Sequence, residues 1–437
     1  MTQLRTKIIL SVLFLGVFTG AALGQFNFPP PDFGPEYVMP ETTTPPPQSG
    51  WHDIADVTVL LAALILAAYF TLKKRRRSYI FTLMIFCLIY FGFWREGCVC
   101  PIGSIQNITL ALFDSSYTVP LVVLAFFVLP LVFTLFFGRG FCAAVCPLGA
   151  IQDVVLISPI KVPSWLQHSL GLLAYVYLGA AVLFAATGSA FIICEYDPFV
   201  AFFRLSGSLN MLVLGGCFLV VGMFVGRPYC RFFCPYGVLL RLMSRFSKWK
   251  VTITPEECVQ CHLCRETCPF GAIETPTPEN ISTGSLQRDK FRLAALFLLL
   301  PILIATGGFL VSNMSVPLSR MHADVRLAER IYLEDTGAVL DTVDESDAFR
   351  ATGTPIEQLY ADVDIIRGKF TTGGWLLGGF LGLVLGAKLI RLSVYRRRSD
   401  YQAHRAYCLA CGRCYEYCPV HQEKIKADTA TVIKVGG

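Results

Sequence analysis

The sequence predicts an all-α polytopic membrane bundle of about seven spans that carries a small α+β module built from two separated segments. Three observations predict it. Of the 437 residues, 54% are hydrophobic and 13% aromatic, and the mean hydropathy is +0.56, which is high for a soluble globular chain. Apolar runs long enough to cross a bilayer recur along the chain and end in basic clusters. Two cysteine-rich runs lie close to those basic ends.

The amino terminus has the pattern of a secretory signal. Residues 1–24 begin with Arg5 and Lys7, continue through an apolar stretch and end in the small-residue pattern Ala-Leu-Gly, which predicts a signal peptide. If this segment is retained as a helix instead, it still delivers residue 25 to the outside. Residues 25–50 are rich in proline, so we expect an extended outer arm that serves as a tether.

The apolar runs predict the topology of the chain. Basic residues follow the first run at 73–77 and the fifth at 241–250. The positive-inside rule therefore places the ends of these two runs on the cytoplasmic side of the membrane, which we expect to be a bacterial inner membrane. The spans are predicted at 54–72, 79–94, 119–137, 169–191, 209–226, 292–311 and 373–390. The corresponding divisions are a membrane domain at 51–250, a span at 289–311, an outer loop or subdomain at 312–371 and a last span at 372–395.

The two cysteine-rich runs share one spacing. Residues 258–269 read CVQCHLCRETCP and residues 408–419 read CLACGRCYEYCP, so both follow C-x2-C-x2-C-x3-C-P. This is the bacterial ferredoxin run, whose fourth cysteine binds the cluster of the other run. Segments 251–288 and 396–437 are therefore predicted to form a cytoplasmic ferredoxin-like module with two 4Fe-4S clusters. The expected ligand sets are Cys258, Cys261, Cys264 and Cys418, and Cys408, Cys411, Cys414 and Cys268.

A shorter cysteine motif is repeated three times inside the membrane domain. Its copies begin at Cys100 in CPIGSIQNI, at Cys146 in CPLGAIQDV and at Cys234 in CPYGVLLRL. The second and third copies have a partner four residues earlier, Cys142 and Cys230 respectively, at matching cytoplasmic span ends. These four thiolates predict a further iron–sulfur cluster. A zinc site is the alternative metal site, and cysteines packed at helix ends are the structural alternative.

The first copy lies on the predicted outer side with a different set of partners. Cys98 and Cys100 stand one residue apart there, and Cys194 follows the fourth span, with Asp197 before a proline. The three thiols predict an outer cluster that Asp197 or an outside group completes. A disulfide from Cys98 or Cys100 to Cys194 is the alternative, because the outer compartment is oxidising. Cys87 and Cys217 fall inside spans without partners, and we expect both in the core.

Other site classes are not indicated. The segment Cys258 to His262 spells the haem c attachment pattern, but haem c is attached outside the membrane and this run is predicted inside, so we expect no haem c. No two of the six histidines share an apolar span, and no phosphate loop, dinucleotide fingerprint or zinc-hydrolase helix occurs. We therefore assign no catalytic residue. The net charge of +6 lies beside apolar runs, which does not indicate a nucleic acid partner.

The paired C-x3-C-P motifs together with the ferredoxin runs resemble the NapH/NosR-type membrane iron–sulfur proteins, or polyferredoxins. The resemblance covers residues 79–425 and is carried by residues 142–147, 230–235, 258–269 and 408–419. It implies a non-catalytic subunit that transfers electrons within an oxidoreductase complex. Its expected partners are the membrane, a cytoplasmic electron carrier or quinol, and a redox protein outside the membrane.

Two other functions fit parts of the sequence. A membrane-anchored iron–sulfur redox sensor or assembly and maturation factor would use the cytoplasmic clusters but has no need of thiols at both faces. An ion pump driven by electron flow would require ionisable residues within the spans, which the spans almost entirely lack. Electron transfer through the membrane is therefore the leading hypothesis.

Overall fold

The computed structural model describes residues 50–97, 100–253, 258–277, 286–339, 341–394 and 397–423. The predicted signal peptide, nearly all of the predicted outer arm, and Cys98 lie outside these residues. The described chain is almost entirely helical, in agreement with the predicted fold class.

The membrane domain combines long apolar helices with short helices that begin at cysteines. Its helices are α1 (Gly50–Tyr69), α2 (Arg77–Cys87), α3 (Pro101–Phe113), α4 (Leu121–Phe137), α5 (Gly140–Ala144), α6 (Pro147–Val155), α7 (Ser164–Leu170), α8 (Leu173–Ala186), α9 (Ile192–Glu195), α10 (Val200–Arg204), α11 (Leu209–Gly222), α12 (Pro228–Phe232) and α13 (Pro235–Arg245). Helices α1 and α2 continue as π-helical turns at Phe70–Lys74 and Leu88–Trp94. Helix α3 packs against α4 and α8, as does α13, so these short helices lie inside the bundle.

Helices with the length and composition of a membrane span occur where the sequence predicts them. Within the described residues, five helices qualify: Gly50–Lys74, Arg77–Trp94, Ser164–Ala186, Gln287–Ser312 and Ile356–Ser393. Two further apolar helices, Leu121–Phe137 and Leu209–Gly222, are shorter than a full span. The chain is therefore a membrane protein, and the total of seven spans stays a prediction.

The last two long helices pack through glycine. They are α15 (Leu286–Ser312) and, after the three short helices α16 (Ser315–Ser319), α17 (Ala323–Asp335) and α18 (Asp344–Ala351), α19 (Ile356–Ser393). A Cβ on Gly378 of α19 would lie 2.0 Å from the carbonyl oxygen of Gly307 on α15, and one on Gly382 would lie 2.2 Å from that of Leu303. Only glycine allows the two backbones to approach so closely.

Helix α19 is longer than the span that the sequence predicts at 373–390. Its 38 residues correspond to about 57 Å, well beyond a hydrocarbon layer of about 30 Å. The extra turns begin at Ile356 because they pack against another helix of the 312–371 segment rather than against lipid: Val363 and Ile366 of α19 are buried with Val325 and Ile331 of α17. The predicted outer segment is therefore a helical subdomain.

The two ferredoxin runs fold against each other. The first contains α14 (Leu263–Glu266) and β1 (Ile273–Glu274), and the second contains β2 (Gln402–Ala403) and α20 (Arg413–Glu416). Strands β1 and β2 pair antiparallel, with Ile273 opposite Ala403. The N–H of His404 also donates to the carbonyl oxygen of Ala272 at 2.8 Å, and α14 contacts α20. Two segments separated by two long helices thus form one unit.

Candidate iron–sulfur centres

The two ferredoxin runs share an unusual backbone conformation. Gln260 and His262 in the first run have φ values of 51° and 62°, and the equivalent Ala410 and Gly412 in the second have 58° and 75°. Left-handed residues alternating with right-handed ones turn successive N–H groups toward one concave side, which is a known setting for anions and iron–sulfur sites. Three of these four residues are not glycine, so the chain accepts local strain to adopt this shape.

The cysteines of the two runs are brought together in crossed sets. One cavity is lined by Cys258, Cys261 and Cys264 of the first run together with Cys418 of the second. A second cavity is lined by Cys408, Cys411 and Cys414 together with Cys268. Each cavity therefore combines three cysteines of one run with the fourth of the other, which is the arrangement expected for exchanged ligands.

A third set of thiols lies at the face of the membrane domain that contacts the ferredoxin module. Its four cysteines are each only 7–8% exposed and lie within electrostatic range of one another: Cys142, Cys146, Cys230 and Cys234. Within the described residues, no three His, Cys, Asp or Glu side chains converge closely enough to hold a single metal ion. A zinc ion needs such convergence, whereas thiolates around a 4Fe-4S cluster can each bind a different iron. The iron–sulfur cluster and the zinc alternative both stay predictions for these four cysteines.

Hydrogen-bond donors surround the sulfur atoms of this third set. Arg139 Nη2 donates to the Sγ of Cys142 at 3.5 Å, and Gln152 Nε2 donates to that of Cys230 at 3.4 Å. Both donors flank the first C-x3-C-P motif, at residues 142–147. Such N–H groups stabilise negative charge on cluster sulfurs and raise the reduction potential, so the residues fit an iron–sulfur cluster.

The repeated Cys-Pro-x-Gly sequence has a common local structure. In each copy the cysteine precedes the first turn of a helix and the proline occupies the first helical position. In the third copy the N–H of Gly237 also donates to the Sγ of Cys234 at 3.3 Å. The positive end of each helix thereby favours a thiolate at its start.

The glycine of the second copy is required for a further reason. A Cβ on Gly149 would lie 2.9 Å from Arg227 Nη1 and 3.0 Å from the carbonyl oxygen of Cys142. Arg227 is fully buried and contacts that carbonyl oxygen, so it cannot move away easily. The glycine therefore leaves room for an arginine beside the third set of thiols.

The outer set is related to the third set by the internal repeat. Cys100 interacts electrostatically with both Asp197 and Cys194. Gln106 Oε1 accepts the N–H of Ile193, the residue before Cys194, at 3.0 Å. In the second copy of the repeat, Gln152 Oε1 accepts the N–H of Tyr229, the residue before Cys230, also at 3.0 Å. Equivalent glutamines in the two copies thus accept a hydrogen bond from the residue before a cysteine that is distant in the sequence.

The outer cysteines that the structure describes are free thiols. Cys100 is half-buried, Cys194 is exposed and no disulfide joins these two described residues, while Cys98 lies outside the described range. Asp197 is buried, and its Oδ1 accepts the N–H of Phe199 at 2.9 Å. The structure therefore brings together three of the four residues predicted for this site.

A buried carboxylate connects the membrane domain to the second ferredoxin run. Asp153 pairs with Arg77 at 3.5 Å, with Arg227 at 3.6 Å and with Arg413 at 3.2 Å. Burial raises the pKa of the Asp153 carboxyl, but the three guanidinium groups outweigh burial and hold this pKa at about 2. The carboxylate is therefore ionised at neutral pH.

The thiol sets follow one another through the molecule. A small cavity between the third set and the second ferredoxin cavity is lined by Cys230 of the former and by Leu409 and Phe270, which neighbour cysteines of the latter. On the other side, the buried Tyr229 lies within electrostatic range of both Cys234 and Cys100. The third set therefore lies between the module and the outer set.

Several residues of these sites were not assigned from the sequence. Arg139 and Arg227 stand three residues before the first cysteine of each C-x3-C-P motif, and Gln106 and Gln152 occupy the same position in two copies of the repeat. Their equivalent positions in the repeats were the signal that could have identified them. The core placement expected for Cys217 is wrong: this side chain is exposed on α11, whereas Cys87 is fully buried as expected.

Comparison with known proteins agrees with the motifs. A family described as a 4Fe-4S binding domain matches residues 119–164 and 208–254, and a second family of the same description matches residues 251–274. The uncharacterized protein MJ0750 of Methanocaldococcus jannaschii is 30% identical over 185 residues, which are 42% of this chain and 77% of that protein. The chain belongs to the polyferredoxin-type membrane iron–sulfur proteins. The resemblance drawn from the motifs is thereby confirmed.

Other relatives match over shorter stretches. The putative electron transport protein YccM of Escherichia coli is 27% identical over 118 residues, 25% of this chain and 33% of that protein. The protein NirI of Paracoccus denitrificans is 29% identical over 123 residues, 27% of this chain and 18% of that protein. The matches to the first two curated relatives, MJ0749 and YccM, span only about a third of their length or less. No solved structure matches this chain.

Proposed function

We propose that this polyferredoxin-type protein is a transmembrane electron-transfer subunit of an oxidoreductase complex. It relays electrons between a cytoplasmic or quinol donor and a redox partner outside the membrane, and it carries no catalytic site of its own. The name of YccM as a putative electron transport protein supports this class of function.

The observation that carries the proposal is the order of the thiol sets. The set of Cys258, Cys261, Cys264 and Cys418 lies next to the set completed by Cys268, because the two share one folded unit. Cys230 lines a small cavity together with Phe270 and Leu409, which also line the second ferredoxin cavity, and the buried Tyr229 lies within electrostatic range of both Cys234 and Cys100. Electron transfer across a membrane requires such a succession of sites. A redox sensor in the cytoplasm does not require it.

Iron–sulfur clusters bound at these sets would accept and release one electron each. The chain's own residues hold the sites and adjust them. The concave backbone around Gly412 and the donors Arg139 and Gln152 stabilise negative charge at the sulfurs, which favours reduction. The proposed complement is two ferredoxin-type 4Fe-4S clusters, a third cluster at Cys142, Cys146, Cys230 and Cys234, and an outer cluster.

The repeat supports a cluster at the outer set. Cys100 and Cys194 have the same glutamine-positioned relationship as Cys146 and Cys230, and Asp197 occupies the remaining side. The alternative is a disulfide that includes Cys98. Iron content of the purified Cys194→Ser variant separates the two: a loss of iron supports the outer cluster, and unchanged iron with a disulfide mapped in the natural protein contradicts it.

We propose that the ferredoxin module faces the cytoplasm. The basic stretch after α1 contacts the module directly: Arg75 Nη2 donates to Thr252 Oγ1 at 3.4 Å, and its guanidinium lies 5.8 Å from the ring centre of Tyr415. Since basic segments stay on the cytoplasmic side, the module lies there with them. Labelling of an introduced surface cysteine by an impermeant reagent in intact cells and in inverted vesicles tests this orientation.

The order of reduction tests the relay itself. A protein reductant that can reach only the module is mixed rapidly with detergent-solubilised full-length protein, and each cluster is followed by its spectrum. We expect the ferredoxin clusters to be reduced before the third cluster. Reduction of the third cluster with an unchanged rate in a variant that lacks both ferredoxin clusters would contradict the proposal.

A further inference from the structure

A large basic pocket lies on the same face as the ferredoxin module, and its lining includes no cysteine. Its volume is about 340 Å³. Five cationic side chains line it against a single carboxylate, that of Glu274: Arg245, Lys250, Arg391, Arg398 and Arg405. Glu274 pairs with Arg398 at 2.8 Å. The lining of the pocket therefore carries more positive than negative charge.

Both the membrane helices and the ferredoxin module contribute residues to the lining of this pocket. Arg245 lies in the last turn of α13 and Arg391 in the last turn of α19, which has the composition of a membrane span. Glu274 belongs to β1 and Gln402 to β2. Nη1 of Arg405 also donates to the carbonyl oxygen of Arg245 at 3.4 Å, so the module and the membrane helices meet there.

We propose that this pocket binds the phosphate headgroup of an anionic phospholipid and thereby holds the ferredoxin module against the membrane domain. A phosphate group presents several acceptor oxygens, and guanidinium groups bind it through two parallel N–H donors. Basic pockets at the ends of membrane helices are a recognised class of lipid headgroup site.

The surroundings favour a lipid over a free phosphate ion. Beside Arg245, the side chains of Phe246 and Trp249 are 69% and 50% exposed, and Leu242 on the same helix is also exposed. Aromatic side chains are enriched at the level of lipid headgroups, and the apolar surface can contact acyl chains. A soluble phosphate would make no use of these residues.

The test compares lipid retention by full-length variants in nanodiscs. Native mass spectrometry counts phosphatidylglycerol bound after release from nanodiscs of phosphatidylcholine with and without phosphatidylglycerol. The test variant is Arg245→Gln with Arg391→Gln. The matched control is Lys73→Gln with Lys74→Gln, which removes two exposed charges near the same face but outside the pocket. Unchanged iron content in both variants shows that they fold.

We expect the test variant to bind phosphatidylglycerol roughly 150-fold more weakly, since each of the two removed guanidinium groups loses a charge-assisted hydrogen bond to the phosphate, worth about 1.5 kcal/mol. The control should lose much less. An equal loss in the control would mean general surface attraction and would overturn the proposal. A second arm adds millimolar inorganic phosphate to the nanodiscs that contain phosphatidylglycerol: displacement of the bound phosphatidylglycerol by phosphate would assign the pocket to a soluble anion instead.

Discussion

Arg413, between two cysteines of the second ferredoxin run, contacts the buried carboxylate of Asp153 in the membrane domain at 3.2 Å. The two residues are 260 positions apart: Asp153 follows the first C-x3-C-P motif, and Arg413 lies within the second ferredoxin run. Their contact fixes the second ferredoxin site beside the third set of thiols. Arg227 completes the connection, because it pairs with Asp153 and also donates to the carbonyl oxygen of Ala143 at 3.2 Å.

The first prediction concerns this contact. Asp153→Asn leaves three guanidinium groups without their carboxylate, and loss of one partner from a buried ion pair costs about 3–5 kcal/mol. We expect a lower midpoint for thermal loss of the cluster absorbance in detergent-solubilised protein. The matched control is Glu266→Gln, whose pair with Lys161 is exposed on both sides and should contribute little to stability. Equal midpoints for the two variants would contradict the assigned role.

The second prediction concerns the exchanged ligands. Cys268→Ser should damage the cluster of the second run, although Cys268 belongs to the first, because it lines the cavity of Cys408, Cys411 and Cys414. Electron paramagnetic resonance of the reduced protein distinguishes the two clusters. Cys217→Ser is the control, since that exposed thiol should leave all signals intact. Selective loss of the first run's own cluster in the Cys268 variant would refute the exchange.

The third prediction concerns glycine in the Cys-Pro-x-Gly repeat. Gly149→Ala places a methyl group against Arg227 and the backbone of Cys142, and overpacking of this kind costs about 1–3 kcal/mol. We expect reduced iron at the third site with the ferredoxin signals retained. Gly216→Ala is the control, because a Cβ there meets nothing within 4 Å. Full iron occupancy in the Gly149 variant would show that the close approach is not needed.

The fourth prediction concerns the reduction potential of the third site. Arg139→Gln removes a charged donor to the Cys142 sulfur. Because a positive charge stabilises the reduced, more negative state, the potential of this cluster should become more negative. Potentiometric titration measures it. Arg265→Gln on the exposed part of the first run is the control and should leave the third potential unchanged. A shift of the same size in the control would rule out a local effect.

The ferredoxin ligands and the long apolar helices could be predicted from the sequence, because each is indicated by a local pattern of residues. The ferredoxin ligands obey a fixed spacing, and each long apolar helix corresponds to a predicted span. The role of Asp153 could not be predicted, since its three partners come from distant segments and its burial depends on their packing. The start of α19 at Ile356 was not predicted either. A hydropathy profile identifies only segments apolar enough to lie in lipid, whereas the first turns of α19 pack against α17.

Under the proposed function, electrons cross the membrane through this one chain. This claim is tested most directly in sealed proteoliposomes that hold the full-length protein and a trapped, impermeant redox dye, with an impermeant reductant added outside. We predict reduction of the dye by the natural protein and by Cys217→Ser, and its loss in Cys234→Ser, which interrupts the third set while the ferredoxin signals remain. Dye reduction at the natural rate in Cys234→Ser, or none with the fully loaded natural protein in an intact bilayer, would contradict the claim.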